Sequence, residues 1–505
     1  MVSTKGWRTW QVVAALLALA LPWRLFLTTR YYGWEESDYG NLAMIRGVLD
    51  GRFLHYDMNH MPGYYGLGAL VLSVVGDAVV ASHTVTLLGG LAAFALSVAL
   101  TERLAGRTAA VLAGLLLVVQ PEFALYSSSS LREPVYAAFI LGMLTALSRE
   151  RLALAGALAG AAFLVRFDGA LVFGPVLTLH ALGRGPRLPR LARALAPLAL
   201  VIGLWATYTR IDHGTAAFWS HSVSVNLETG LGEEAQGRGD WVRRGAEVSG
   251  TLGAWVMPWR IGWGTWVGLL LALFTAPWTR HGLGRTWALQ GLLMVGLWLG
   301  IGFTGQHSPD HNLYWKWLCP IVPVVVPLGV SGLLRISARL PRPLAGALLA
   351  LCMAQAVASN LKETRRQVDR SVAWYKPQLD LARWIESSVP EDLPLLVDNI
   401  PACWIDRRHH GRTLHSWFDV PTGGDPAAFA AWLRQERIGW VLWFAEDWTQ
   451  APAVAPFLAP GGTWTEGGLT LTEDRREDGY GWILFRVESA GAPAPASSGG
   501  PPGAP

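Results

Sequence analysis

Trp34-Glu35-Glu36-Ser37-Asp38-Tyr39 sets three carboxylates within four positions, directly after an apolar run from Val12 to Leu27. Arg30, Tyr31, Tyr32 and Trp34 are residue types that gather at a membrane–water boundary. A segment that only crossed a bilayer would have little use for three acids at its exit, so this stretch is the candidate reaction centre. Upstream, Lys5 and Arg8 precede the apolar run and no small-x-small cleavage site ends it, so it reads as an uncleaved first span with its N-terminus inside. Downstream, Asp38 is placed to cap a helix running to about Leu49, with Leu42, Ile45 and Leu49 on one stripe and Asn41, Arg46 and Asp50 opposite. Gly51 ends it. Such a helix suits the interface rather than the bilayer interior.

The rest of the chain agrees with a membrane setting. Of 505 residues, 51% are hydrophobic and 15% charged, with 26 Trp, a composition outside the soluble range. The net charge of +4 gives no polyanion-binding surface, and nucleic acid is not an expected partner. Cys319, Cys352 and Cys403 show neither a metal spacing nor a disulfide framework.

Basic turns at Arg103 to Arg107, Arg149 to Arg151, Arg184 to Arg193, Arg280 to Arg285 and Arg335 to Arg342 belong on the cytoplasmic side. Spans then fall near 79–103, 108–124, 133–148, 152–166, 169–182, 193–209, 262–278, 286–303, 317–334 and 343–359. With the first span, the expectation is an α-helical polytopic membrane protein of about eleven spans with its C-terminus outside. Tyr64 to Val75, about 12 residues against the ~20 that a crossing needs, reads as re-entrant or juxtamembrane. Arg30 to Met61, Tyr126 to Glu133, Ile211 to Met257 and Thr304 to Lys316 then share the outer face. From Leu361 the chain turns polar. A helix over Pro377 to Ser388, strands at Leu393 to Asp398, Trp440 to Ala445 and Trp482 to Val487, and a helix begun by Asp425-Pro426 predict an extracytoplasmic α/β domain. The expected division is a membrane domain over 1–360 with its outer loop at 30–62, the α/β domain over 361–488, and a disordered Pro/Gly/Ala tail over 489–505.

Carboxylates at this position have three open roles: general base, metal ligand, or solvated spacer. Moving a sugar from a lipid phosphate to a hydroxyl needs one base, because the departing phosphate is already a good leaving group; glycoside hydrolysis needs a positioned acid and base pair. His60, Arg132, Arg166, His307, His311 and Lys316, all expected on the outer face, would stabilise that phosphate.

An acidic pair after the first span, an amphipathic helix, Pro62-Gly63-Tyr64-Tyr65, Arg166-Phe167-Asp168-Gly169 between short helices, and His307 to Pro320 leading into a Pro-rich span together resemble the GT-C glycosyltransferases. Within that fold the chain looks most like the group holding the protein O-mannosyltransferases and lipid A aminoarabinose transferases, family 39-like. The resemblance implies inverting transfer of a hexose or pentose from a polyprenyl-phosphate-linked sugar to a hydroxyl of a lipid, polysaccharide or protein acceptor, at the outer face of the plasma (inner) membrane. It implies Glu36, Glu35 or Asp38 as the base, and His60, Tyr64, Glu133, Arg132, Arg166, His307, His311 and Lys316 around substrate and lipid phosphate. It names no fixed cofactor and no metal ligand; family members differ on metal use, which leaves room for a divalent cation. The family's Asp-Glu-x-x-Tyr stands here as Glu35-Glu36-Ser37-Asp38-Tyr39, and its Lys-Pro-Pro as His60-Met61-Pro62. Its His-x-x-x-Tyr segment points to His307, His311 and Tyr314.

Structural readings stand beside these. The three acids also have a solvated reading, which the helix and aromatic context outweighs; Asp38 has a capping one, Arg166 a local pair with Asp168, and Glu133 a helix start. Pro309 argues against a helical metal pair at His307 and His311, and His409-His410 reads as surface. A transporter or flippase of lipid-linked sugars is the alternative function, but it would place ionisable groups at the midplane and show repeated halves. A structural subunit whose outer domain binds cell-wall partners is the third.

Overall fold

The computed structural model describes residues 8–31, 36–49, 51, 61–167, 169–183, 187–214, 282–303, 318–389, 393–397, 413–416, 420, 425–444, 463–477 and 482–489. The span expected at 262–278, the segments 215–257 and 304–316, Cys403, His409-His410 and the tail lie outside them.

The first unit, Met1–Tyr375, is helical. Its helices are α1 (Thr9–Thr28), α2 (Glu36–Leu49), α3 (Pro62–Val75), α4 (Ala78–Ala105), α5 (Arg107–Val119), α6 (Pro121–Tyr126), α7 (Glu133–Ser148), α8 (Leu152–Val165), α9 (Gly169–Leu182), α10 (Arg187–His213), α11 (Gly282–Phe303), α12 (Val322–Ser337) and α13 (Arg342–Ser388), the last running on into the second unit. Four stretches among the described residues are long and apolar enough to cross a membrane, Thr9–Thr28, Ala78–Ala105, Arg187–Ile211 and Arg342–Ala373. Leu70 is 68% exposed, Leu171 70% and Leu351 70%. Leucines left bare along apolar helices suit a hydrocarbon surround. The chain is a multi-pass membrane protein.

Proline and glycine set the breaks. The span expected at 108–124 is two helices: α5 stops at Gln120, whose Oε1 accepts from Phe123 N at 2.8 Å, and α6 starts at Pro121. Asp77 caps α4, accepting from Val79 N at 2.9 Å and Val80 N at 3.1 Å. α3 begins at Pro62 and ends at Gly76, which takes φ 67°. Two glycines seat α3 against its neighbours. A Cβ at Gly63 would lie 2.8 Å from Leu164 O of α8, and one at Gly68 would lie 2.5 Å from Ile45 Cδ1 of α2.

Three further expectations need correction. Asn41, expected on the stripe opposite Leu42, Ile45 and Leu49, is buried along with Leu42 and Ile45, while Leu49 is 50% exposed. Asp38 lies inside the first turn of α2, not at its cap, because the helix already starts at Glu36. The helix expected over Pro377 to Ser388 is no separate element: α13 is unbroken from Arg342 to Ser388, its backbone bonds internal whatever surrounds its side chains.

The second unit, Lys376–Pro505, holds a six-stranded mixed sheet. Its strands are β1 (Leu395–Val397), β2 (Leu414–Ser416), β3 (Trp440–Phe444), β4 (Thr463–Glu466), β5 (Leu469–Glu477) and β6 (Trp482–Ser489), in the order β2-β1-β3-β6-β5-β4. β1 runs parallel to β2 and β3, and the remaining pairs are antiparallel. α14 (Pro426–Gln435) starts at Asp425, whose carboxylate accepts from Ala427 N at 2.9 Å, and buries Phe429, Ala430 and Leu433 among Leu396, Val441, Ile483 and Phe485.

Candidate functional site

Glu133 opens α7, where the positive end of the helix dipole favours a carboxylate. Arg166 caps the far end of α8. Its Nη1 donates to Glu133 Oε1 at 2.6 Å, with 4% and 1% of the two side chains exposed. Arg132 Nε stands 3.9 Å from the same oxygen. Tyr136, one turn along α7, sets its ring 5.9 Å below the Arg166 guanidinium. The pairing is long-range, 33 residues apart, and it gives Arg166 a partner other than Asp168, which lies outside the described residues.

The turn ahead of Glu133, residues 127–132, is held by two parallel relays. In the first, Tyr65 OH donates to Asn41 Oδ1 at 2.9 Å and Asn41 Nδ2 donates to Ser130 O at 2.6 Å. This is the amide orientation in which Ser130 O receives a donor. In the second, Thr86 Oγ1 donates to Leu131 O at 2.9 Å. Its single proton is thereby used, so across 2.9 Å it accepts from Tyr64 OH, which in turn accepts from Ser82 Oγ at 2.7 Å. Adjacent tyrosines of Pro62-Gly63-Tyr64-Tyr65 thus back adjacent carbonyls, one through α2 and one through α4.

Sequence reading singled out Tyr64, Arg132, Glu133 and Arg166, and the structure brings these four into one neighbourhood through the bonds just given. Glu36 and Asp38 are on the first turn of α2, the helix that Asn41 ties to this turn. Their side chains, and all of Glu35, His60, His307, His311, Tyr314 and Lys316, lie outside the described residues. Among the described residues no three His, Cys, Asp or Glu side chains are grouped so as to hold a metal ion.

Ser82 and Thr86 went unread as site residues because a lone small polar group in an apolar run has no periodic signature, while Asn41 was read only as part of a polar helix face and Tyr65 only as part of Pro62-Gly63-Tyr64-Tyr65. Arg24 was also missed, although a charge inside a span is itself a signal. Its guanidinium is fully buried, 5.5 Å from the Phe94 ring and 5.1 Å from the Phe123 ring, and donates to Ala20 O and Leu117 O at 3.4 Å each. At the opposite ends of α7 and α8 a second cluster forms. There Glu150 meets Arg190 Nη2 at 2.5 Å and His180 Nε2 at 3.3 Å, and His180 Nδ1 meets Thr286 Oγ1 at 2.9 Å.

No family model and no curated protein sequence matches the chain. Solved structures do. ArnT from Cupriavidus metallidurans bound to undecaprenyl phosphate superposes with a TM-score of 0.63 at 15% identity, over 99% of this chain and 100% of that one. The apo state of that ArnT gives 0.59 at 14% identity, over 95% and 98%. An oligosaccharyltransferase from Archaeoglobus fulgidus, in complex with Zn and sulfate, gives 0.51 at 12% identity, over 86% and 68%. The chain shares the fold of these solved structures.

Proposed function

We propose that the protein is an inverting glycosyltransferase that moves a sugar from a polyprenyl-phosphate donor to an acceptor hydroxyl at the outer face of the plasma membrane. One observation carries the reading: α2, which bears Glu36 and Asp38, is bonded through Asn41 to the turn that ends in Arg132-Glu133, beside Arg166. The helix bearing two of the acids and the buried Arg166–Glu133 pair are thus tied to one turn, which supports reading them as parts of one site. The undecaprenyl phosphate held by the similarly folded ArnT supports a polyprenyl phosphate as the carrier.

In this scheme Glu36, Glu35 or Asp38 takes the proton of the acceptor hydroxyl as its oxygen attacks the anomeric carbon from the face opposite the phosphate. The bond between sugar and phosphate breaks, and the polyprenyl phosphate leaves as an anion. His60, Arg132, His307, His311 and Lys316 would hold that phosphate. Arg166, buried and already paired, would act by fixing Glu133 and the end of α8. The eleven-span topology, with the 361–488 unit outside, belongs to the same proposal.

The test is transfer by the purified, reconstituted protein from radiolabelled polyprenyl-phosphate sugars, with Glu35→Gln, Glu36→Gln and Asp38→Asn beside the wild type. Loss of about a hundredfold or more in at least one variant is expected for a general base. Full activity in all three overturns the base assignment. Movement of lipid-linked sugar across the vesicle membrane without covalent product would establish a transporter instead. Mass spectrometry of envelope lipids and proteins from a deletion strain would name the sugar and acceptor.

A further inference from the structure

We infer that Asn41 and Tyr65 are positioning residues that lock the acid-bearing helix α2 in register on the 127–132 turn, and so set the distance between the acids of α2 and the Arg132-Glu133-Arg166 group. The inference rests on the proposed transferase reading for its consequence in catalysis, but the lock itself stands on geometry.

Four observations meet here. Asn41 is buried at 5% exposure although its helix lies in a polar, boundary-facing part of the sequence, and both halves of its amide are used, Nδ2 on Ser130 O and Oδ1 by Tyr65 OH. An amide with both ends committed fixes rotation of the helix about its axis as well as its height, which apolar packing alone does not do. Next, Asn41 follows Asp38 by three positions and Glu36 by five, so a slide or roll of α2 at Asn41 moves the backbone carrying both acids by a similar amount. Ile45, one turn further along and fully buried, packs where Gly68 leaves no side chain, so α2 is held at a second point on the same face. Finally, Ser130 is three residues before Glu133, and its neighbour Leu131 is anchored separately by Thr86 from α4. The turn is thus a fixed platform, and α2 is the part that the Asn41 bond adds to it. In an in-line displacement, a misplacement of about 1 Å between base and acceptor costs on the order of a hundredfold.

The experiment uses full-length protein in detergent, with amide hydrogen exchange as one readout and steady-state transfer from a polyprenyl-phosphate sugar as the other. Tyr65→Phe removes only the hydroxyl behind Asn41, and Asn41→Ala removes the clamp. Ser97→Ala deletes a buried hydroxyl that donates to Pro323 O at 2.6 Å, well away from α2, and serves as the reference for a general loss of packing. Both lock variants should raise exchange over 36–49 by about tenfold or more while 152–165 stays unchanged, which Ser97→Ala should not do. In the same variants kcat per folded molecule should fall by about tenfold or more with KM for the donor within about threefold of wild type, the pattern of a lost transition-state alignment. Unchanged exchange over 36–49 in both variants overturns the lock. Raised exchange with kcat within about twofold of wild type overturns its role in alignment. A wild type that transfers nothing from any polyprenyl-phosphate sugar defeats the transferase reading instead, and the exchange result still decides whether the lock exists.

Discussion

Arg166 Nη1 reaches Glu133 Oε1 at 2.6 Å with both side chains buried, so a charge pair joins the start of α7 to the end of α8. Taking two charges out of water is costly, and the pair is tolerable because each neutralises the other. Removing one partner is therefore far worse than removing both. Arg166→Met should lower stability by up to about 3–5 kcal/mol by taking the nearest cation from a buried carboxylate that Arg132 reaches only at 3.9 Å, whereas Arg166→Met combined with Glu133→Gln should recover most of that. Thermal unfolding in detergent of the four proteins of the cycle measures the coupling. Additive effects would mean that the two side chains do not depend on each other.

The relay from Ser82 through Tyr64 and Thr86 to Leu131 O has a direction, and the direction ranks its variants. Thr86→Val strips the donor from a buried carbonyl and the acceptor from Tyr64 OH. Tyr64→Phe leaves Ser82 with a donor and no acceptor, while Thr86 still reaches Leu131 O. Ser82→Ala removes only the donor to Tyr64 OH and strands no proton. Each stranded buried group costs about 1–3 kcal/mol, so melting temperatures should fall in the order Ser82→Ala, Tyr64→Phe, Thr86→Val, with Thr86→Val lowest.

Where the sequence was readable, one local rule was enough. Glu133 and Pro134 announce a helix start and Arg149 its end, and α7 occupies 133–148 as expected; Asp425-Pro426 announces α14 in the same way. Where it was not, the deciding partner was distant or the pattern belonged to the surroundings. Arg166 has Asp168 two residues away, yet its described partner is Glu133, a contact that only the packing of α7 on α8 creates. The polarity change near Leu361 does not end the helix, and α13 passes straight through it. β5 was not read as a strand because Glu473, Asp474, Arg475 and Arg476 fill its second half, where the ladder with β6 is also irregular between Glu473 and Arg475.

Gly63 offers a purely steric prediction. Leu164 O stands 2.8 Å from where its Cβ would be, and a backbone oxygen cannot swing aside as a side-chain tip can. Gly63→Val must push α3 off α8, at about 1–3 kcal/mol or more, and it displaces Tyr64 and Tyr65 together. Both relays should loosen at once. Hydrogen exchange should rise at residues 36–49 and 131–136, more widely than Tyr65→Phe alone produces.

The two ionic clusters make a sidedness prediction. α7 runs from the Glu133–Arg166 end to the Glu150–Arg190 end and α8 runs back, and the second end carries the basic residues that positive-inside bias keeps in the cytoplasm. A protein with Cys319, Cys352 and Cys403 replaced by Ser allows single cysteines to be placed and tested in intact cells. Arg149 and Arg187 are exposed, and so is Thr465 on β4. With a membrane-impermeant maleimide, Thr465→Cys should label without permeabilisation, while Arg149→Cys and Arg187→Cys should label only after it. Equal labelling of Arg149→Cys and Thr465→Cys in intact cells would place both on one side, giving an even number of crossings between them. The odd count that puts the sheet outside would then be wrong, and with it the sharing of one face by the acids of α2 and the C-terminal unit.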